Sequence, residues 1–315
     1  MAATVTLNFA FHPPAGSATF EGGLQPFAAA IARETAGAVT VALRPDGVLG
    51  GKLTTQIELV EQGTADAAFV IPGFTPQRFP DNFVFGIPGL FSDIAEASLV
   101  FCRAVSGGVL RGYEDFVVVG AFCTEPFSLH SAKRLTCLAD LKGMRLRAAN
   151  GADEIMLKQL GADARIVPGD KIYAAIADGT IDGTTLHAGP LYDLGISQVT
   201  RFDYFLRLGC APLTVLMNKE RFARLPALGQ DAIRKFSGEW FARSYATHVA
   251  AHNEKLLAMM RADPARTVTD PPEAEIEAAA AAFKPIVDHW LGESPRNARV
   301  LDAVRREIAR YRASS

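Results

Sequence analysis

From Val5 to Phe11 apolar and polar side chains alternate, as they do along a half-buried strand. From Phe20 the apolar residues Leu24, Phe27, Ala28 and Ile31 recur at the spacing of one helix face, and "VTVAL" at 39–43 is a run of strand-forming residues. Together they predict a β-α-β unit. A helix is predicted over 53–61, and "ADAAFV", ending at Val70, reads as the next short strand. The same order returns beyond residue 140: strand 144–148, helix 152–160, strand 163–167, helix 170–178 and a short strand from Ile181. Alternating strands and helices predict an α/β fold in which each sheet is mostly parallel and flanked by helices, and the repetition predicts two lobes.

A local echo supports the doubling. "LVEQGTADA" (59–67) and "AIADGTIDG" (175–183) both leave a helix for a strand through Gly-Thr-x-Asp, with Gly63 and Gly179 where a left-handed residue ends the helix. Two extended segments, 114–123 and 203–218, are long for single strands and are expected to cross between lobes near 120–126 and 208–214. Two crossings form a hinge. Residues 1–123 with 212–252 are thus expected in lobe I, and 124–211 with 253–315 in lobe II. Beyond Asn218 the pattern is helical, with one helix expected over 226–261 and two more over 272–291 and 296–312.

Composition narrows the function. With 32 Lys plus Arg against 34 Asp plus Glu, the net charge of -2 provides no broad positive field, so nucleic acid is not an expected partner. No apolar run approaches the roughly 20 residues of a membrane helix, and the opening "MAATVTLNFAF" shows no basic and apolar leader. Four cysteines lack C-x-x-C or zinc-finger spacing and read as small buried apolar residues. "DGVLGGKLT" at 46–54 is not a phosphate loop, since Asp46 stands at the first glycine position and Leu53 follows Lys52. His248 and His252 share a helix face but have no evident third ligand, so no metal is expected there, and no cofactor motif is present.

Two stretches remain as candidate chemistry. The loop 71–91 is rich in proline and phenylalanine, and its start, Pro72, Gly73 and Phe74, follows a strand end where doubly wound sheets bind ligands. Core sealing is the competing explanation. In "GMRLRAAN" (143–150), Arg145 and Arg147 project to the same strand face, opposite Met144, Leu146 and Ala148. Either guanidinium could form a bidentate pair with a carboxylate, and alternation does not rank them.

Several motifs in order, "GVLGGKLTTQIELVEQGTADAAFV", "FPDNFVFGIPGLFSD", "LADLKGMRLRAAN", "LKQLGADARIVPGDKIYAAIADGTIDG" and "VLMNKERFARLP", make the chain resemble the DctP-type periplasmic solute-binding proteins of TRAP transporters over nearly its whole length. The resemblance implies a two-lobed, periplasmic binding protein-like fold with a hinge cleft. It also implies a periplasmic location with the signal peptide removed, a carboxylate ligand, membrane permease subunits as partners, and no catalysis; a monomer is expected. An extracellular sensor partner and an enzyme on the same scaffold are the other readings. In this family the second arginine of the "LKG-x-R/K-x-R" segment is the usual carboxylate clamp, which is Arg147 here and leaves Arg145 a supporting charge.

Two departures bear on the ligand. Gly169 stands where many members have an aromatic residue, and "DGTTLHAG" replaces "DGQENP", putting Thr184, Thr185, Leu186 and His187 at that strand end. A larger pocket with one directed polar partner fewer suits a monocarboxylate with a bulky or aromatic body; a C4-dicarboxylate or sugar acid is the alternative. Phe11, His12, Phe20 and Phe74 are expected to line the pocket, with ordinary core packing the competing account.

Overall fold

The computed structural model describes residues 4–149 and 151–314. Residues 1–3, 150 and 315, among them the chain start and the last residue of the arginine motif, lie outside the described residues.

The first sheet is built from β1 (Val5–Ala10), β2 (Val39–Arg44), β3 (Ala67–Val70), β4 (Phe116–Cys123) and β10 (Pro212–Asn218), in the order β2-β1-β3-β10-β4. The second holds β5 (Ser128–Ser131), β6 (Arg145–Ala148), β7 (Asp163–Ile166), β8 (Gly183–Leu186), β9 (Phe202–Tyr204) and β11 (Thr267–Thr269), in the order β11-β9-β5-β8-β6-β7. The expectation of mostly parallel sheets needs one refinement: both are mixed. β10 runs antiparallel to β3 and β4, and β5 antiparallel to β8 and β9. The cause is the crossing itself. β4 and β9 leave their sheets at the carboxyl edge, so the strand that each crossing feeds, β5 or β10, must enter from that edge and run the other way. Every other strand points its carboxyl end toward the crossings.

The crossings pair with each other. Thr124 donates its amide to Ala211 O (3.0 Å), Phe127 to Gly209 O (3.2 Å), and Leu208 to Phe127 O (2.9 Å), forming an antiparallel ribbon over 124–127 and 208–211. Its backbone lies against the proline-rich loop, where Cys210 N donates to Phe85 O at 2.8 Å. A Cβ on Gly209 would stand 2.1 Å from Gly86 O, so only glycine fits that approach.

The helices are α1 (Gln25–Glu34), α2 (Gln56–Glu61), α3 (Ile94–Ser106), α4 (Gly151–Gln159), α5 (Ile172–Ala177), α6 (Ala188–Asp193), α7 (Lys219–Ala223), α8 (Ala227–Phe236), α9 (Glu239–Ala262), α10 (Glu273–Glu293) and α11 (Pro295–Ser314). The helix expected over 226–261 is in fact two. Gly238, at φ 64° and ψ −128°, breaks it and donates its amide to Val119 O in β4. Gly63 and Gly179 take the expected left-handed conformation at φ 72° and 75°. All four cysteines are free thiols, and among the described residues no helix is long and apolar enough to cross a membrane.

One core surrounds the first sheet, with Phe9, Phe27, Phe101, Phe122 and Phe241 fully buried; another lies under the second, around Leu129, Leu146, Leu157 and Tyr204. α9 belongs to both sides: Phe241, Tyr245 and Val249 enter the first core, and Met260 enters a third cluster beside β8 with Ile172 and Leu191. The last helix corrects the expected division of the chain. Residues 295–314 were expected with lobe II, yet Val300, Leu301, Val304 and Ile308 pack into the first core. Two buried acids fix it there: Arg296 pairs with Asp81 at 2.9 Å and Arg312 with Glu96 at 2.7 Å. Leaving either carboxylate buried without a cation would be costly.

Candidate functional site

In open α/β sheets, ligands sit outside the carboxyl ends of the strands. Here those ends converge on the crossing ribbon from two sides. The end of β1 carries Phe11 and His12, and β3 runs into a short 3-10 turn over Pro72–Phe74. Opposite them, Arg147 lies in β6, Gly169 follows β7, and Thr184, Thr185, Leu186 and His187 close β8.

The two arginines have different surroundings. Arg145 donates from Nη2 to Asp182 Oδ1 (2.6 Å), from Nε to Oδ2 (3.2 Å) and from its backbone amide to Oδ2 (2.9 Å). Lys133 Nζ adds a contact at 2.9 Å. Burial pushes the Asp182 carboxyl up, but these donors outweigh it and bring the pKa down to about 2. Arg145 is therefore neutralised within the lobe. Arg147 donates from Nε to Val167 O (3.1 Å) and from Nη1 to Thr185 O (3.5 Å), both carbonyls, and forms no ion pair among the described residues. Burial lowers its pKa, with Asp153 acting the other way. A half-buried guanidinium held by neutral acceptors has its orientation set and its charge without an ion pair, which is what binding a carboxylate requires.

The other expected residues divide. Thr184 and Thr185 are buried, and Thr184 Oγ1 donates to Thr185 O at 3.0 Å, the carbonyl that Arg147 also reaches. Leu186 packs into the cluster of Ile172 and Leu191. The His187 ring meets Phe127 edge-on at 5.5 Å, its Nδ1 is closed off without a hydrogen-bond partner, and burial lowers its pKa. Gly169 is exposed, and a Cβ there would meet nothing within 4 Å. On the facing edge Phe11 and Phe20 lie in the core, their rings 5.6 Å apart, with Phe69 5.2 Å from Phe11. His12 packs against Gly47, Pro72 is buried, Gly73 is exposed, and Phe74 is 36% exposed.

Sequence reasoning passed over Glu125. It lies in the crossing between Thr124 and Pro126, and both its carboxylate oxygens are closed off from solvent without a hydrogen-bond partner. The signal available was an acid inside a segment already expected to cross between lobes. A separate open hollow of about 760 Å³ runs along α9 past Glu21, Arg243, His248 and Lys255. Its Arg243 is more than half exposed and already paired with Glu239, so it does not match the buried, unpaired guanidinium at Arg147.

The DctP family, described as bacterial extracellular solute-binding protein, family 7, matches residues 11–293. The C4-dicarboxylate-binding periplasmic protein DctP of Rhodobacter capsulatus is 26% identical over 72% of this chain and 69% of its own. The first curated relative is covered over 63% of its length, so the chain spans a little under two thirds of it. Among solved structures, a TRAP solute-binding protein from Rhodoferax ferrireducens in complex with copurified benzoate superposes with a TM-score of 0.87 at 23% identity, covering 99% of this chain and 100% of that one. A marine metagenome TRAP solute-binding protein specific for aromatic acid ligands, in complex with metahydroxyphenylacetate, also gives 0.87 at 21% identity, covering 98% and 99%. With the family matched over most of its length and two lobes meeting at a cleft, the chain belongs to the DctP family of extracellular solute-binding proteins and has the fold of TRAP periplasmic solute-binding proteins.

Proposed function

We propose that the protein captures a monocarboxylate with a bulky or aromatic body in the cleft, with Arg147 as its clamp, and releases it unchanged to a membrane permease. The observation that carries this reading is the guanidinium of Arg147, fixed by the carbonyls of Val167 and Thr185 and forming no ion pair among the described residues. A second carboxylate would need a second cation. Arg145 is already committed to Asp182, and at the facing strand ends Phe11 and Pro72 are buried beside His12 and Phe74. Two neighbours of the same fold carry benzoate and metahydroxyphenylacetate, which supports an aromatic body. The 26% identical Rhodobacter relative, named for C4-dicarboxylates, favours a second reading, a small diacid. The lobes would close about the crossing ribbon 124–127 and 208–211, and the protein would work in the periplasm as a monomer.

Titration calorimetry with benzoate, phenylacetate, succinate and glucuronate separates the two. The aromatic monoacids are expected to bind most tightly, and Arg147→Ala to weaken them by about two orders of magnitude or more, since it strands a carboxylate in a desolvated site. Tighter succinate binding would replace the ligand class, and near-native affinity in Arg147→Ala would remove the clamp. Chromatography of the incubated ligand should recover it unchanged.

A further inference from the structure

Glu125 is a carboxylate with no proton donor. Both its oxygens are closed off from solvent, and none of the described residues donates a hydrogen bond to them. Its position is fixed by the ribbon: Thr124 N donates to Ala211 O (3.0 Å) and Phe127 N to Gly209 O (3.2 Å), which sets Glu125 opposite Cys210. Two residues on, the Phe127 ring meets the His187 ring edge-on at 5.5 Å. His187 has an orphaned buried atom of its own, Nδ1, and Glu125 is near enough to act on the ring. Buried polar atoms of this kind are rarely left without a partner inside a folded chain.

The pair stands at a defined remove from Arg147. The guanidinium reaches Thr185 O, and His187 lies two residues farther along the same extended chain, about 7 Å at the rise of a strand. A carboxylate at Arg147 therefore places the far end of a one-ring acid at His187 and Glu125. The charge pattern also orients the ligand, because its carboxylate is drawn to Arg147 and repelled by Glu125.

We infer that Glu125 and His187 form a second polar end of the cleft, and that the ligand carries a hydrogen-bond donor, a hydroxyl or an ammonium, on its body opposite the carboxylate. The inference rests on the carboxylate clamp at Arg147 and narrows the ligand from an aromatic acid to a donor-bearing one. A hydrogen bond to a carboxylate in a desolvated site sets the expected preference at about ten- to a hundredfold.

The test is calorimetry on the wild-type protein with benzoate, its three hydroxybenzoate isomers and the isomeric aminomethylbenzoates. At least one donor-bearing acid is expected to bind at least about tenfold more tightly than benzoate. The hydroxyl and aminomethyl arms show which donor is taken. Glu125→Gln is expected to erase that preference, with its melting temperature and circular dichroism reporting that it is folded. Benzoate bound as tightly as every substituted acid, or a preference that survives Glu125→Gln, overturns the inference and leaves the clamp standing. Failure of the clamp is read separately, as unchanged binding of benzoate by Arg147→Ala. No binding by any acid of the panel overturns both.

Discussion

Asp182 accepts hydrogen bonds from both the backbone amide and the guanidinium of Arg145, at 2.9 and 2.6 Å, tying β6 to the turn that enters β8. With the Lys133 ammonium also in place, the Asp182 carboxyl is held at about 2 despite its burial. A carboxyl with a depressed folded pKa contributes stability that is complete above its unfolded value, near 3.9, and is lost as pH falls toward 2. Urea unfolding at a series of pH values should therefore show stability declining between about pH 4 and pH 2. Asp182→Asn should be less stable at neutral pH and flatter across that window; an equal slope in the variant would disprove the assignment.

The same tie separates the roles of the two strand arginines. Arg145→Ala removes the main partner of Asp182 and should lower the melting temperature, while carboxylate affinity changes little. Arg147→Ala should do the reverse, because the folded protein gives that charge only carbonyl partners among the described residues. Thermal melts and calorimetry on both variants give four readings, and a swap of the two patterns would reverse the assignment.

Much of the architecture was legible in periodicity, because strands and helices that bury one face must repeat at two or 3.6 residues. What escaped is non-local. Phe236 and Trp240 continue the helical period across Gly238, so the break shows only in the backbone and in its bond to Val119. The apolar face of α11 would suit either lobe; Asp81 and Glu96, more than two hundred residues away, decide it. Alternation puts Arg145 and Arg147 on one face, and the partner that distinguishes them lies 37 residues on. Glu125 was missed because an acid in a crossing segment ordinarily reads as a solvated charge, and only the folded chain closes its oxygens off.

A buried ionic tie within the second sheet makes a stability prediction. His130 Nδ1 and Asp203 Oδ1 stand 2.7 Å apart, and Arg266 Nη1 reaches Asp203 Oδ2 at 2.7 Å, with the Arg266 side chain 2% exposed. Asp203→Ala leaves the guanidinium Asp263, at 3.8 Å, as its only ion-pair partner among the described residues and should cost about 3–5 kcal/mol in denaturant unfolding. Asp203→Leu combined with Arg266→Met should recover most of that loss, since an apolar replacement leaves no uncompensated charge. A double variant as unstable as the single one would show that the cost is packing rather than charge.

The crossing ribbon should tolerate little. A methyl on Gly209 would meet Gly86 O at 2.1 Å, and the contact is backbone on both sides, so no side-chain rotation relieves it. Gly209→Ala should destabilise by roughly 1–3 kcal/mol, the usual cost of overpacking, and shift the solution radius of gyration in small-angle scattering as the ribbon moves off the loop. Unchanged stability would mean that loop 80–90 yields without cost.

Gly169 bears most directly on ligand size. It follows β7 at the carboxyl edge, is exposed, and has nothing within 4 Å of the place a side chain would start, so a large residue there meets no steric obstacle at its base. If the open space admits a bulky ligand body, Gly169→Phe should fill it and weaken benzoate and phenylacetate by tenfold or more, about 1.4 kcal/mol. A small acid such as pyruvate needs only Arg147 and little volume, so its affinity should be unchanged or improved by the added apolar wall. The control is stability without ligand, which an exposed substitution should leave within about 0.5 kcal/mol. Equal weakening of large and small acids would point to a blocked lobe closure, and no weakening of either would place the ligand body away from β7.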